Sequence, residues 1–323
     1  MYLHNREELQ ALRKNAEAAL HAPGIRILVC AGTGCIASGS KDIYDKMKSL
    51  CEGNNSVSVE FEGEVPHPEI KKSGCHGFCE MGPLMRIEPL GILYIKVKVE
   101  DCEEIYEKTI CHGEAIDRLL YHKDGQVYQS EESIPFYAGQ MRLVLKNCGH
   151  IDAENIEEYI AVGGYQALEK VLFDIDQEEG LSIIEEANLR GRGGGGFPAG
   201  KKWKQVAHQK EKERYIVCNG DEGDPGAFMD RSIMEGDPHK MLEGMLVGAC
   251  LTGAQNAYIY VRAEYPLAVE RLQKAIKQAE EYGLIGDNIL GTDFSVHFHI
   301  NRGAGAFVCG EGSALTASIE GKR

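Results

Sequence analysis

The stretch GRGGGGFPAGKKW, Gly191 to Trp203, places six glycines and three basic residues in thirteen positions. Glycine gives up more backbone entropy on folding than any other residue and brings no side chain to a core. A run this dense excludes a helix or strand interior and marks a functional loop. Two reasons remain for keeping it: backbone angles that other residues reach poorly, or a ligand that must come closer than a Cβ permits.

The spacing tests two familiar phosphate loops. Gly195, Gly200 and Lys201 match G-x4-G-K, but Lys202 stands where a nucleoside-triphosphate loop needs Ser or Thr to hold magnesium. Gly191, Gly193 and Gly196 match G-x-G-x-x-G, a weak pattern alone. Both loops should follow a strand, whereas the residues before Gly191 read as a helix over Leu181–Asn188. An ATP-linked enzyme is therefore the weakest of the readings considered.

The surroundings alternate strand and helix. Apolar spacing predicts a helix over Arg6–Leu20, and Gly24–Cys30 reads as a strand. A helix near Ser40–Leu50 follows, then strands at SVSVEFE, LMRIEP and GILYIKV, and a helix near Glu100–Thr109. Tyr121–His150 reads as a connector with short strands, and the run from Ala153 to Leu172 as helical. Beyond the glycine loop come strand Arg214–Asn219, helix Lys240–Thr252, strand Asn256–Val261, helix Pro266–Tyr282, strand Ser295–Ile300 and a helix over Ser313–Ile319 with Gly321 as a C-cap. The fold class is α/β. The expected domains are 1–120, a connector over 121–160, and 161–323 with a largely parallel sheet whose ligands sit at strand C-terminal ends.

Two more glycine-rich loops fall in the last of these. CNGDEGDPGAFMDR, Cys218–Arg231, opens at the end of a strand and crowds Asn219, Asp221, Glu222 and Asp224 beside three glycines. Its spacing fails the calcium-loop pattern, leaving a heterocycle, a ribose or a plain surface turn. GAGAFVCGEGSAL, Gly303–Leu315, repeats the theme, and Gly310–Glu311–Gly312 can start a helix whose N–H groups face a phosphate. Three such loops in one domain point to a single large, flat, phosphorylated ligand.

Eleven cysteines need a use. Cys30 and Cys35 form C-x4-C after a strand, and Cys75 and Cys79 form C-x3-C in a second glycine-rich loop. Four thiolates at two loop edges suit zinc or an iron–sulfur cluster. The other seven read as small buried hydrophobes. The formal net charge of −15 makes a nucleic-acid partner a poor fit. The most apolar stretch, Met241–Ala254, is too short to span a membrane and carries Glu243. The polar N-terminus is no signal peptide, so a cytoplasmic location is expected. The last residues, a helix in progress, read as the edge of a longer subunit.

Taken together, CAGTGC, GCHGFC, NCGHIDAENIEEYIAVGGY, GRGGGGFPAGKKW, CNGDEGDPGAF and CGEGSALTASIEG resemble the FMN-binding, NADH-oxidising subunit of respiratory complex I. The resemblance is strongest to the version in soluble NAD-linked, often electron-bifurcating, iron hydrogenases and formate dehydrogenases, where a thioredoxin-like [2Fe–2S] domain precedes it. The resemblance implies that Cys30, Cys35, Cys75 and Cys79 ligate [2Fe–2S]. It implies FMN contacts from Gly191, Gly193, Lys202, Asn219, Asp221, Glu222, Gly310 and Glu311, and NADH contacts from Phe197 and Asp224. Two positions depart from complex I: Asp224 is one methylene shorter than the usual Glu, and Gly312 replaces a second Glu. The family continues into a ubiquitin-like domain and a helical [4Fe–4S] domain. The partners implied are a hydrogenase or formate dehydrogenase catalytic subunit and a small [2Fe–2S] subunit in a hetero-oligomer, with NAD versus NADP left open. The alternative is a [2Fe–2S] relay or docking module without its own flavin activity.

Overall fold

The computed structural model describes residues 1–53 and 68–322; the expected strand SVSVEFE lies outside them. The chain divides into two compact units. Unit 1 comprises Met1–Glu17, Ile156–Met234 and Pro238–Arg323; unit 2 comprises Ala18–Asn155 and the tripeptide Glu235–Asp237.

Helix α1 covers Arg6–Leu20, as its apolar spacing predicts. In unit 2 the order is β1 (Arg26–Cys30), α2 (Thr33–Ala37), α3 (Ser40–Gly53), β2 (Glu69–Ser73), β3 (Met85–Glu88) and β4 (Ile92–Tyr94). Then come α4 (Cys102–Glu104), which runs into a π-helical turn over Ile105–Cys111, the hairpin β5 (Tyr121–Lys123) and β6 (Gln126–Tyr128), and α5 (Pro135–Ala138). Four strands form one sheet in the order β2-β1-β3-β4; β1 and β2 are parallel, the other pairs antiparallel. Side chains alternate across a strand. Ile27 and Val29 enter a core with Ile43, Met47, Met85, Ile87 and Tyr94, while Cys30 joins Cys35, Phe78, Leu84 and Tyr137 in a separate cluster. Strand β2 has no apolar alternation to announce it. Its register against β1 sets Cys30 opposite Ser73.

Unit 1 continues with α6 (Ile156–Ala161), α7 (Gln166–Phe173), α8 (Gln177–Glu186), α9 (Ala199–Ala207), β7 (Tyr215–Gly220) and α10 (Met229–Gly236), the end of which passes into unit 2. It ends with α11 (Pro238–Thr252), β8 (Asn256–Arg262), α12 (Pro266–Glu281), β9 (His297–Gly303) and α13 (Gly312–Ile319). The single helical run expected over Ala153–Leu172 is two helices. Gly163 and Tyr165 both adopt left-handed backbone angles at the break, and the carboxylate of Glu243 accepts from the N–H groups of Tyr165, Ala167 and Leu168. Strands β7, β8 and β9 are parallel neighbours in that order, so the loops after Gly220, Arg262 and Gly303 leave from one edge. Helix α11 brings Gly248 so near Ile216 and Trp203 that a Cβ there would lie 2.6 Å from Ile216.

Candidate functional site

The four sequence-paired cysteines converge. Because β1 and β2 are parallel and in register, the loops after Cys30 and after Ser73 start side by side. Cys75 and Cys79 are 3.6 Å apart between sulfurs. Cys30 lies within hydrogen-bonding reach of both Cys35 and Cys75, so the thiols form a chain from Cys35 through Cys30 and Cys75 to Cys79. The Cys75 thiol is held far below its ordinary range, because Cys30 and Cys79 donate to it and so does the N–H of Gly77 at 3.4 Å. Hydrogen bonds with Cys35 and Cys75, and then burial, push Cys30 up instead. A thiolate is the metal-binding form of cysteine. Among the described residues no group of three or more His, Cys, Asp or Glu side chains is arranged around one ion position; the sulfurs are linked pairwise.

Glycines make room for this chain. A Cβ on Gly32 would stand 2.8 Å from Cys75 Cβ, one on Gly82 2.7 Å from Cys35 Sγ, and one on Gly34 3.5 Å from Cys79 Sγ. Sequence reasoning did not single out Gly82. Its signal, glycine beside a paired-cysteine loop, becomes visible only once Cys35 is placed. Between Cys75 and Cys79, His76 is fully buried. Its Nε2 lies 2.7 Å from Ser73 Oγ, which itself donates to the carbonyl of Val29. Nε2 therefore carries the proton, and the ring is neutral, with burial lowering its pKa to about 3. Nδ1 is buried with no hydrogen-bond partner among the described residues. The reading of the remaining cysteines as buried hydrophobes holds for Cys51, Cys102 and Cys148 but not for Cys111, which is exposed at the end of its turn.

In unit 1 the Gly191–Trp203 loop joins α8 to α9, not strand to helix. Its base is closed as a small antiparallel bridge: Gly191 N–H donates to Phe197 O at 3.0 Å, Ala199 N–H to Leu189 O at 2.8 Å, and Arg190 Nη1 to Gly196 O at 3.2 Å. Gly194 and Gly196 have positive φ, which justifies them by conformation. Gly193 and Gly195 do not, and a Cβ on either would meet no atom of the described residues within 4 Å. Neither backbone angle nor packing among the described residues requires glycine at these two positions. Phe197 is half exposed, and Lys201 and Lys202 are exposed on the first turn of α9. The N-cap of α9 is Pro198, which makes no side-chain cap.

The acidic loop and the last glycine loop meet at the strand edge. Asn219 Nδ2 donates to Gly310 O at 2.9 Å, and its Oδ1 accepts from Asp221 N–H. A Cβ on Gly310 would touch Asp221, and one on Gly223 would lie 2.9 Å from the Phe307 ring, itself largely exposed. Asp221 Oδ2 is buried and has no partner among the described residues, and burial raises its pKa. Asn219, Asp221 and Gly310 are thus one constellation. Asp224 is exposed on the same loop.

Two predicted contact residues also cap helices. The carboxylate of Glu222 accepts from the N–H groups of Met229, Asp230 and Arg231, closing the first turn of α10. Its carbonyl accepts from Arg262 Nη1 at 2.7 Å and Tyr265 Oη at 3.1 Å. Glu311 Oε2 likewise accepts from Ser313 and Ala314 N–H and from Ser313 Oγ at the start of α13. That helix start, expected to face a phosphate, carries its own anion. Of the three helices opened by a glycine-rich loop, α9 alone lacks a side-chain cap and carries lysines.

Residues 184–323 match the Nuo51 FMN-binding domain family. The chain is 51% identical over 184 residues to the NADP-reducing hydrogenase subunit HndC of Solidesulfovibrio fructosivorans, covering 57% of this chain and 37% of that one. It is 48% identical over 181 residues to an NADH-quinone oxidoreductase subunit of Rhizobium meliloti (strain 1021), covering 56% and 43%. The chain thus spans well under half the length of these relatives. Among solved structures it is similar to an NAD+-reducing [NiFe]-hydrogenase chain at 23% identity and a TM-score of 0.47, over 97% of this chain and 52% of that one. It is also similar to a thioredoxin-like [2Fe-2S] ferredoxin from Aquifex aeolicus at 26% identity and a TM-score of 0.27, over 32% and 94%.

Proposed function

We propose, from the match of residues 184–323 to the Nuo51 FMN-binding domain family, that this chain is the hydride-exchanging part of an NAD(H) oxidoreductase, with FMN in unit 1 and [2Fe–2S] in unit 2. The observation that carries the proposal is the pair Gly193 and Gly195, glycines that neither backbone angle nor any described neighbour requires. A flat ring laid on the loop uses the space they leave open.

The residues divide the work. Gly191 and Gly193 give a surface that a ring can approach to contact distance. Lys202, on an uncapped helix start, offers charge to the FMN phosphate or to the reduced ring. Asn219 and Asp221 present an amide and a buried carboxylate oxygen without a described partner, which suits the hydroxyls of a ribityl chain. Gly310 packs against that carboxylate, where an added Cβ would make contact. Glu222 and Glu311 contact FMN from loops that their own carboxylates brace by capping α10 and α13. The exposed ring of Phe197 provides a face for the nicotinamide dinucleotide, and Asp224 a hydrogen-bond acceptor at its edge. None of these groups needs to move a proton. FMN, when bound, exchanges a hydride with NAD(H) and single electrons with iron–sulfur centres. In unit 2 the four thiolates hold the cluster, and the Gly77 N–H orients the Cys75 sulfur.

Such a chain needs an electron outlet. The proposal therefore includes a hetero-oligomer with a small [2Fe–2S] subunit and a hydrogenase or formate dehydrogenase catalytic subunit, a complex that also holds a [4Fe–4S] centre and bifurcates electrons. Among the described residues no helix is long and apolar enough to cross a membrane, and we place the complex in the cytoplasm. The test is anaerobic purification of the full-length protein followed by flavin and metal analysis and NADH-driven dye reduction. FMN, iron and NADH-dependent turnover are expected. Protein that takes up no FMN contradicts the proposal, and an iron-containing protein without flavin activity favours the relay module instead.

A further inference from the structure

Glu235 is at the end of α10 in sequence, yet by its contacts it belongs to unit 2. It is 2% exposed, and its carboxylate accepts from the N–H of Thr33 at 3.0 Å and from Thr33 Oγ1 at 2.5 Å. Thr33 opens the five-residue helix α2, which carries Cys35 and begins two residues after Ala31. The first N–H groups of a helix have no partner inside it. The N-cap here is Gly32, which has no side chain to offer and cannot gain one, because a Cβ would strike Cys75. The local sequence therefore cannot cap α2, and a residue 202 positions away does so.

The next two residues secure that placement. A Cβ on Gly74, the neighbour of Cys75, would lie 2.4 Å from the Cα of Gly236, and one on Gly236 would lie 2.6 Å from Cys148 Sγ. Asp237 Oδ2 accepts from the buried Asn147 Nδ2 at 2.8 Å. The tripeptide Glu235–Asp237 thus touches both cysteine loops, one through Thr33 and the other through Gly74.

We infer that Glu235 is a positioning residue of the thiol site: its buried carboxylate fixes the Cys30–Cys35 loop and lowers the reduction potential of the cluster held there. The inference rests on the [2Fe–2S] reading of those four cysteines. Reduction adds a negative charge to the cluster, and a buried carboxylate at the ligand loop opposes it. Hydrogen bonding and net charge near the sulfurs are the terms that set such potentials.

The test uses full-length, cofactor-loaded protein and compares wild type with Glu235→Gln and Thr33→Val. Flavin and iron content, the cluster's midpoint potential and the electron paramagnetic resonance of the reduced cluster are measured. Glu235→Gln keeps the shape and removes the charge. It is expected to retain FMN and iron and to raise the reduced-to-oxidised ratio at a fixed potential about tenfold, or about 59 mV for a one-electron couple. Thr33→Val keeps the charge and removes the Oγ1 donor, so it is expected to change the resonance line shape with a smaller potential shift. Wild-type potential and line shape in Glu235→Gln overturn the inference. Should that variant fail to fold, Thr33→Val decides: a changed line shape supports the inference and an unchanged one overturns it. Iron-free wild type overturns the underlying reading, and the inference with it.

Discussion

Both sites are lined with glycine, but an added methyl group meets different things at each. Around the thiols, Cβ atoms on Gly32 and Gly82 would stand 2.8 and 2.7 Å from cysteine atoms. In the Gly191–Trp203 loop, Cβ atoms on Gly193 and Gly195 would meet nothing among the described residues within 4 Å. The first site is built tight around its own thiols, as the proposed cluster, held through sulfur, would require. The second is held open at a closed base, as suits a molecule that binds by contact and whose substrate must come and go. Glycine content alone does not separate a packed site from an open one. The neighbour of the missing Cβ does.

The comparison breaks first at Gly82. Gly82→Ala should reduce iron per chain by more than about tenfold while FMN uptake stays at the wild-type level. The clash falls on Cys35 Sγ, a buried thiol proposed as a cluster ligand. Metal analysis and the visible spectrum read this directly. Next comes Lys202→Ala, expected to raise the FMN dissociation constant at least about tenfold, roughly 1.4 kcal/mol, with iron content unchanged; fluorescence titration measures it.

A third pair sharpens the contrast inside one loop. Gly193→Ala should weaken FMN about tenfold with no change in the apoprotein's melting temperature. Gly200→Ala should do the reverse in stability, since its Cβ would lie 2.6 Å from the backbone of Glu185. About 1–3 kcal/mol of destabilisation is expected from such overpacking. If both variants lowered the melting temperature alike, the open-loop description would be wrong.

The smallest effect concerns α10. Burial first, then the nearby Glu222, raises the Asp230 carboxyl to about 6. A carboxyl raised on folding favours the fold at low pH and ceases to do so as pH climbs through its folded value. Asp230→Asn should therefore stabilise the protein near pH 8 by about 1–2 kcal/mol, less than the full shift because the group is partly solvated. Near pH 4 it should change little. Thermal melts at the two pH values test the sign.

How much of this was legible in the sequence depends on whether the cause was local. Helix α1 and the alternating strands β8 and β9 follow from apolar periodicity, and the parallel sheet of unit 1 follows from strands that alternate with helices. The paired cysteines were visible as pairs, but their convergence depends on β2, whose sequence EIKKS carries no strand pattern. Helices α9 and α10 went unread because each starts inside a glycine-rich loop, one without a side-chain cap and the other capped by Glu222 from seven residues upstream of Met229. The capping bonds of Glu222 and Glu311 were hidden for the same reason: an acidic residue beside glycines reads as a ligand, and the helix start that it also caps appears only in the structure. Glu235 had no signal at all, since its partner Thr33 is 202 residues away.

The most direct test is a cofactor inventory of the full-length protein, purified without oxygen, combined with an electron paramagnetic resonance spectrum after addition of NADH. The account predicts about one FMN per chain and a reducible [2Fe–2S] signal that Cys75→Ser abolishes without removing the FMN. Zinc in place of iron at the thiol site, or a Gly191–Trp203 loop that binds no flavin, would contradict it.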